Sequence, residues 1–340
     1  MKHWNHKGLA KGLTRRLLAS ALVLGAVVSS ASAEGLIRIS EQFGTLYVPF
    51  HILRDQHLIE KHGKELGVDV KVEWQKLSGG NAVNDALLSG SIDIASAGIG
   101  PFLTVWDRTR GAVKVVGAFG AQPSYLLTNK PEIKSLKDFG PNDRIATPAA
   151  IVSVQGRTLQ IAAEQTFGEG NQGKLDTIQV SLPHPDATAA LLSGATEITG
   201  HLSNSPYQEL ELKDPKIHKI WSSYDILGGP VTPTLAYATI KFREQNPKTY
   251  EAFYLAFKEA TEIAGKDRKL AAETYVKIEK SKLDPVFIQD VISNPEVKFT
   301  LTPLNTEKFA DFLYKTGAIK TKPASWKDYT FPELHDQPGS

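Results

Sequence analysis

The chain has 340 residues, 41% of them hydrophobic and 22% charged, enough apolar side chain for about two domains of roughly 100–200 residues each. It has no Cys, which excludes disulfides, thiolate catalysis, Cys-ligated metal and a lipid anchor on Cys. Its 39 basic and 37 acidic residues leave a net charge of +2, too even a balance to predict a nucleic-acid or anionic-membrane face.

The first 33 residues differ from the rest. Lys2, Lys7, Lys11, Arg15 and Arg16 give them five positive charges and no acid. An apolar run from Leu17 to Val28 follows, and Ala31-Ser32-Ala33 matches a small-residue cleavage pattern. Together these predict a secretory signal peptide over 1–33. The run is too short for a transmembrane anchor, which needs about 20 residues. Thr14-Arg15-Arg16-Leu17-Leu18 leaves both the general and the twin-arginine export routes open. Without the leader, 34 basic residues face 37 acidic ones, a charge of −3. The expectation is a soluble periplasmic protein without a lipid anchor.

Leu36-Ile37-Arg38-Ile39-Ser40 alternates as a strand, and a helix is predicted to start near Pro49. Val68–Trp74 alternates as a second strand. The loop Ser78-Gly79-Gly80-Asn81 leads into a short helix, and Ile92-Asp93-Ile94-Ala95 reads as a third strand. Strands alternating with helices predict parallel β-α-β units. Later, Ile240–Gly265 reads as one long helix with Tyr250, Phe253, Tyr254 and Phe257 on an apolar stripe; core packing explains that stripe better than a cofactor surface. Further helices are predicted over Lys269–Glu279, Asp284–Ile292 and Asn305–Tyr314, with Asp284 and Asn305 as N-caps. The tail from Lys320 is predicted to be irregular.

One stretch recurs. Ala86-Leu87-Leu88-Ser89-Gly90-Ser91-Ile92-Asp93-Ile94 returns 104 residues later as Ala190-Leu191-Leu192-Ser193-Gly194-Ala195-Thr196-Glu197-Ile198. Pro101-Phe102 and Pro206-Tyr207 follow at similar distances. The pattern is that of a helix ended by Gly, which can take φ > 0, and leading into a buried strand. Two copies imply two related α/β lobes rather than a solenoid.

With these motifs in this order, the mature chain resembles the periplasmic binding proteins of the nitrate, alkanesulfonate and taurine ABC importers. Asn246-Pro247-Lys248-Thr249-Tyr250-Glu251-Ala252-Phe253 and the ending Thr316-Gly317-Ala318-Ile319 with Pro323-Ala324-Ser325-Trp326-Lys327-Asp328 carry the same resemblance. It implies an α/β fold of the two-lobe type II clamshell kind, each lobe a mixed, mainly parallel sheet flanked by helices. Lobe 1 would take 34–125 plus 231–340 and lobe 2 would take 126–230. Ser124–Thr128 and Thr234–Thr239 would be the two crossover strands. Closure of such hinged lobes on a ligand is the usual behaviour.

Ligands of open α/β sheets bind beyond the carboxyl ends of strands. That rule and the resemblance select Gly44, Thr45, Leu46, Gly80, Asn81, Gly98, Ile99 and Gln122 on one side. On the other they select Ser153, Val154, Gln155, His184 and Asn204. Gly80-Asn81 and Ser153-Val154-Gln155 are candidate helix N-termini that could hold an oxyanion without a cationic side chain; plain capping is the alternative at each position. Trp106 and Trp221 are expected in packing and Arg157 in solvent. His184 and His201 could meet at the cleft, yet two histidines fall short of the three or four ligands a metal wants, so hydrogen bonding is expected.

No catalytic motif is present: there is no G-x-S-x-G, no P-loop and no G-x-G-x-x-G after a strand. The thiamine pyrimidine synthases that share this fold carry a Cys-rich motif, which this chain lacks. The reading is a non-enzymatic, monomeric, cofactor-free binding protein that hands a small organic anion, sulfonate- or taurine-like, to an ABC permease and its ATPase. A sensor subunit presenting its closed form to a membrane receptor is the alternative.

Overall fold

The computed structural model describes residues 34–340, so the predicted signal peptide lies outside the described residues. Strand β1 (Leu36–Glu41) leads through a 3-10 turn into α1 (Val48–Asp55), with Pro49 in its first turn, and α2 (Leu58–Glu65). Then come β2 (Lys71–Lys76), α3 (Gly80–Leu88), β3 (Ile94–Gly98), α4 (Ile99–Arg108) and β4 (Val113–Ala118). The second set is β5 (Tyr125–Thr128), β6 (Ile145–Thr147), α5 (Val154–Phe167), β7 (Gln179–Ser181) and α6 (His184–Ser193). It continues through β8 (Gly200–Ser203), α7 (Tyr207–Glu211), β9 (His218–Ser222) and α8 (Ser223–Leu227). The chain then returns as β10 (Thr234–Thr239), α9 (Ile240–Gln245), α10 (Pro247–Lys266), α11 (Arg268–Glu279), α12 (Pro285–Ile292) and α13 (Glu307–Lys315).

Two five-stranded sheets result, ordered β2-β1-β3-β10-β4 and β7-β6-β8-β5-β9. In the first, β1 runs parallel to β2 and β3, and β10 is antiparallel to β3 and β4. In the second, β6 runs parallel to β7 and β8, and β5 is antiparallel to β8 and β9. The two sheets therefore share one plan, with the antiparallel strand in the same place. The two copies of the sequence echo fall at matched points of that plan. Each runs from the last turns of a helix, α3 or α6, to the approach of the third strand, and Gly90 (φ 75°) and Gly194 (φ 62°) make the left-handed turn there.

Alternation along β10 shows how the first sheet is covered. Leu235 and Tyr237 face α3, α4 and α13, while Ala236 and Ala238 face α1, α10, α11 and α12. On the second face Phe50 packs edge to face on Phe119, Phe253 and Phe257, with Phe50 and Phe119 centroids 4.5 Å apart. The aromatic stripe of α10 is therefore core.

Several predicted bounds shift for local reasons. Ile240–Gly265 is two helices, because Pro247 lacks an N–H and starts a new one. Asn305 is not an N-cap: it has φ 52° and its amide donates to Pro230 O at 2.6 Å, and the helix begins after Thr306. Asp284 does cap, its Oδ1 accepting from the Val286 N–H at 2.8 Å. The tail is more ordered than expected: it forms two 3-10 turns and buries Trp326, Tyr329 and Leu334 in the core.

Candidate functional site

Both sheets end their parallel strands at one interior cavity of ≈ 40 Å³. That space holds a few water molecules. The two halves touch around it. The Thr45 N–H donates to Ser205 O at 2.9 Å, and Asn204 Nδ2 donates to Phe43 O at 3.4 Å.

Four helices begin at the cavity wall. Gly80 opens α3, Gly98 precedes α4, Ser153 and Val154 open α5, and His184 opens α6; all of them line it. The first N–H groups of a helix have no carbonyl in their own helix. Here Ser153 Oγ accepts from Gly156 N–H at 3.0 Å and Pro233 O accepts from Ile99 N–H at 3.0 Å. That leaves the N–H groups of Gly80, Asn81, Val154 and Gln155 at the positive ends of α3 and α5. Among the described residues, no Lys, Arg, Asp or Glu lines the cavity. Burial pushes the Tyr47 hydroxyl up, so Tyr47 stays neutral there.

The structure brings nine of the sequence-selected residues to the lining: Leu46, Gly80, Gly98, Gln122, Ser153, Val154, Gln155, His184 and Asn204. Four stand off it. The Asn81 side chain is exposed. Ile99 is wholly buried in core. Thr45 is wholly buried and braces the turn, accepting from Gln122 Nε2 at 3.0 Å and donating to Ser205 O at 3.4 Å. Gly44 packs against the Asn204 side chain. Gln42, Tyr47, Pro101, Ser124, Pro148, Pro233 and Thr234 line the cavity without having been selected. Gln42 directly follows β1, so the strand-end rule reaches it; Pro233 and Thr234 enter through the register of β10, which no local pattern reveals.

Two further expectations change. Arg157 is half-buried instead of free in solvent; its Nη1 donates to Gln160 Oε1 at 2.9 Å, and burial pushes the guanidinium down. His184 and His201 do meet, with Nδ1 and Nε2 2.8 Å apart, and both are buried.

Beside Phe43, donor atoms of Glu41, His51 and Glu279 lie within 4.8 Å of one another. His51 Nε2 stands 3.0 Å from Glu279 Oε1 but off the hydrogen-bond direction. The carboxylates already hold cations: Lys76 on Glu279, and Arg54 Nη1 on Glu41 at 3.3 Å. Burial pushes the Glu279 carboxyl up, but His51 and Lys76 overcome it and hold the group at about 2.

No family model matches the chain, and no curated protein does. Solved structures do. A Candida albicans gene product described as exhibiting the generic periplasmic binding protein structural fold superposes with TM-score 0.65 at 13% identity, over 87% of this chain and 96% of its own. The fold here is the periplasmic binding protein fold. The alkanesulfonate-binding protein SsuA from Xanthomonas axonopodis pv. citri, bound to MOPS, gives TM-score 0.68 at 17% identity, over 86% of this chain and 97% of that one. The periplasmic nitrate-binding protein NrtA from Synechocystis PCC 6803 gives 0.66 at 16%, over 87% and 84%.

Proposed function

We propose that this chain is the periplasmic solute-binding component of an ABC importer and captures a small organic anion, a sulfonate first of all. Lobe 1 (34–125 plus 231–340) and lobe 2 (126–230) close on the solute, and the closed form delivers it to a permease with its ATPase. The observation that carries the reading is the cavity ringed by helix N-termini and lacking any charged side chain. Helix ends offer N–H donors and a positive potential, worth about 0.3–1 kcal/mol each near the surface and more when desolvated. Several converging ends hold an anion with no counter-ion. A cation would meet the same potential unfavourably. Two of the similar structures are an alkanesulfonate-binding and a nitrate-binding protein, which sets the order of testing.

The test is a thermal-shift and titration series with ethanesulfonate, taurine, nitrate, acetate and choline. A ligand held only by the folded state raises the melting temperature by RT ln(1 + [L]/Kd) expressed through the unfolding entropy. Ethanesulfonate or another anion is expected to raise it, and choline to leave it unchanged. A shift with choline and none with the anions overturns the reading.

A further inference from the structure

Three side chains from separate elements of the first half meet in one buried place: Glu41 at the end of β1, His51 in α1, and Glu279, the last residue of α11. His51 is 0% exposed and Glu41 is 4% exposed. His51 Nε2 lies 3.0 Å from Glu279 Oε1 and 3.9 Å from Glu41 Oε2. One donor atom from each residue falls within 4.8 Å of the other two. Bonds of about 2.0–2.2 Å at tetrahedral angles set the ligand atoms of a metal roughly 3.3–3.6 Å apart. The two separations from His51 bracket that span.

Polar atoms without partners mark the place. Neither ring nitrogen of His51 is hydrogen-bonded, nor is Glu41 Oε2, although all three are shut off from water. Leaving a buried polar atom unpaired costs free energy, and native interiors rarely gather several. Tyr275 covers the imidazole, with ring centroids 5.5 Å apart.

The two carboxylates are held differently. Arg54 Nη1 donates to Glu41 Oε1 at 3.3 Å, which orients that carboxylate and leaves Oε2 free. Lys76 Nζ donates to both oxygens of Glu279. Its side chain is 31% exposed, and a lysine is a point charge on a flexible stem, so it can swing to water when another cation arrives. One imidazole with two carboxylates suits Zn²⁺ and its first-row neighbours. Mg²⁺ takes oxygen ligands in an octahedron and keeps several waters, so it fits this set poorly.

We propose that Glu41 Oε2, His51 Nε2 and Glu279 bind one divalent transition-metal ion of the Zn²⁺ class, with Lys76 giving way and the fourth position left to water. The site is separate from the cavity and does not depend on the anion reading. Glu41 directly precedes Gln42 and Phe43 of the cavity wall, so the ion pins the end of β1 to α1 and α11 just behind that wall. His51 Nδ1 has no carboxylate or carbonyl behind it, the support that usually stiffens a ligating ring, so moderate affinity is expected.

The test is calorimetry of EDTA-stripped protein with ZnCl₂ and MgCl₂, and absorption spectroscopy with CoCl₂, at about pH 7.5, where ligating groups can deprotonate. One equivalent of Zn²⁺ is expected to bind, Co²⁺ to give the visible band of a four- or five-coordinate ion, and Mg²⁺ to give no heat. Lys76→Met removes a charge-assisted bond that the ion must break, and is expected to tighten Zn²⁺ binding about tenfold. Glu41→Gln and His51→Gln are each expected to weaken it by at least about tenfold, the scale lost even when a supporting partner of a ligand is removed. Circular dichroism without metal checks that each variant folds. If either buried substitution does not, Lys76→Met, on a partly exposed residue, still decides. Absence of Zn²⁺ and Co²⁺ binding in both the parent and Lys76→Met overturns the proposal. So does a Zn²⁺ affinity that is the same in the parent and in every folded variant, which is the behaviour of an adventitious ion only.

Discussion

Arg38 grips Asp93 with two parallel hydrogen bonds, Nε to Oδ2 at 2.9 Å and Nη2 to Oδ1 at 2.8 Å, while its own backbone N–H donates to Oδ2 at 2.9 Å. The same place in the second half holds Arg144 and Glu197, where Nε and Oε2 are 3.9 Å apart. The acids are the eighth residues of the two echoed segments. One half keeps a tight fork and the other a loose, largely exposed pair.

Asp93→Ala is therefore expected to lower stability by about 2 kcal/mol, the scale of charge-assisted and bidentate hydrogen bonds that are partly buried. Glu197→Ala is expected to change it by less than about 0.5 kcal/mol, as for exposed pairs. Urea unfolding of the two variants against the parent measures the difference.

Stability should fall in acid in two separable steps. His184 is held neutral by burial, so the unfolded chain binds a proton that the folded chain refuses, and stability falls as pH drops below about 6.5. Glu279 is held at about 2 against an ordinary 4.5, so its contribution is full above 4.5 and is lost as pH falls towards 2. The Glu279 step is worth up to about 3 kcal/mol, at 1.36 kcal/mol per unit. Urea midpoints from pH 7 to pH 3 should show both steps in the parent. Glu279→Gln should lose only the lower one.

Ser153→Ala removes the oxygen that caps α5 through the Gly156 N–H, and is expected to cost about 1 kcal/mol. Asn81→Ala should change neither stability nor ligand affinity, because that side chain points to solvent. Thermal unfolding and ethanesulfonate titration of both variants check the contrast.

Gly44 has φ 120°, and a Cβ there would lie 2.7 Å from Asn204 Nδ2 and 3.1 Å from Ser205 O. Gly44→Ala should therefore oppose closure at the contact between the halves. The expected outcome is at least a tenfold weaker Kd and a larger radius of gyration with ligand present, read by small-angle X-ray scattering. An unchanged radius with unchanged affinity would remove this contact from the closing surface.

Local chemistry explains what was legible. Gly90 and Gly194 announce their turns because only a few residues accept that backbone, and the repeat around them exposed the doubled architecture. Strand starts were less legible. Val68 reads as strand, but its N–H donates to Gly63 O and closes α2, so β2 begins at Lys71. Ile92 and Asp93 read as strand, but Asp93 is tied to Arg38 and β3 begins at Ile94. The strand-end rule found Gly80, Gly98 and Gln155 because those loops follow strands in sequence. Glu211 was out of reach: it meets His201 ten residues away by the packing of a helix on a strand, and no spacing motif announces that.

The position of β10 sets the order in which the molecule can be assembled. The second sheet uses strands from Tyr125 to Ser222 without interruption, and its pairing can finish as soon as that stretch is available. The first sheet cannot, because the strand between β3 and β4 is Thr234–Thr239. Until that strand arrives, β3 and β4 have no partner between them, and closing so long a loop is entropically slow. The half that begins the chain is thus the half that must wait. During that wait it presents open strand edges, the kind of surface that a holding chaperone or an aggregate would seize first.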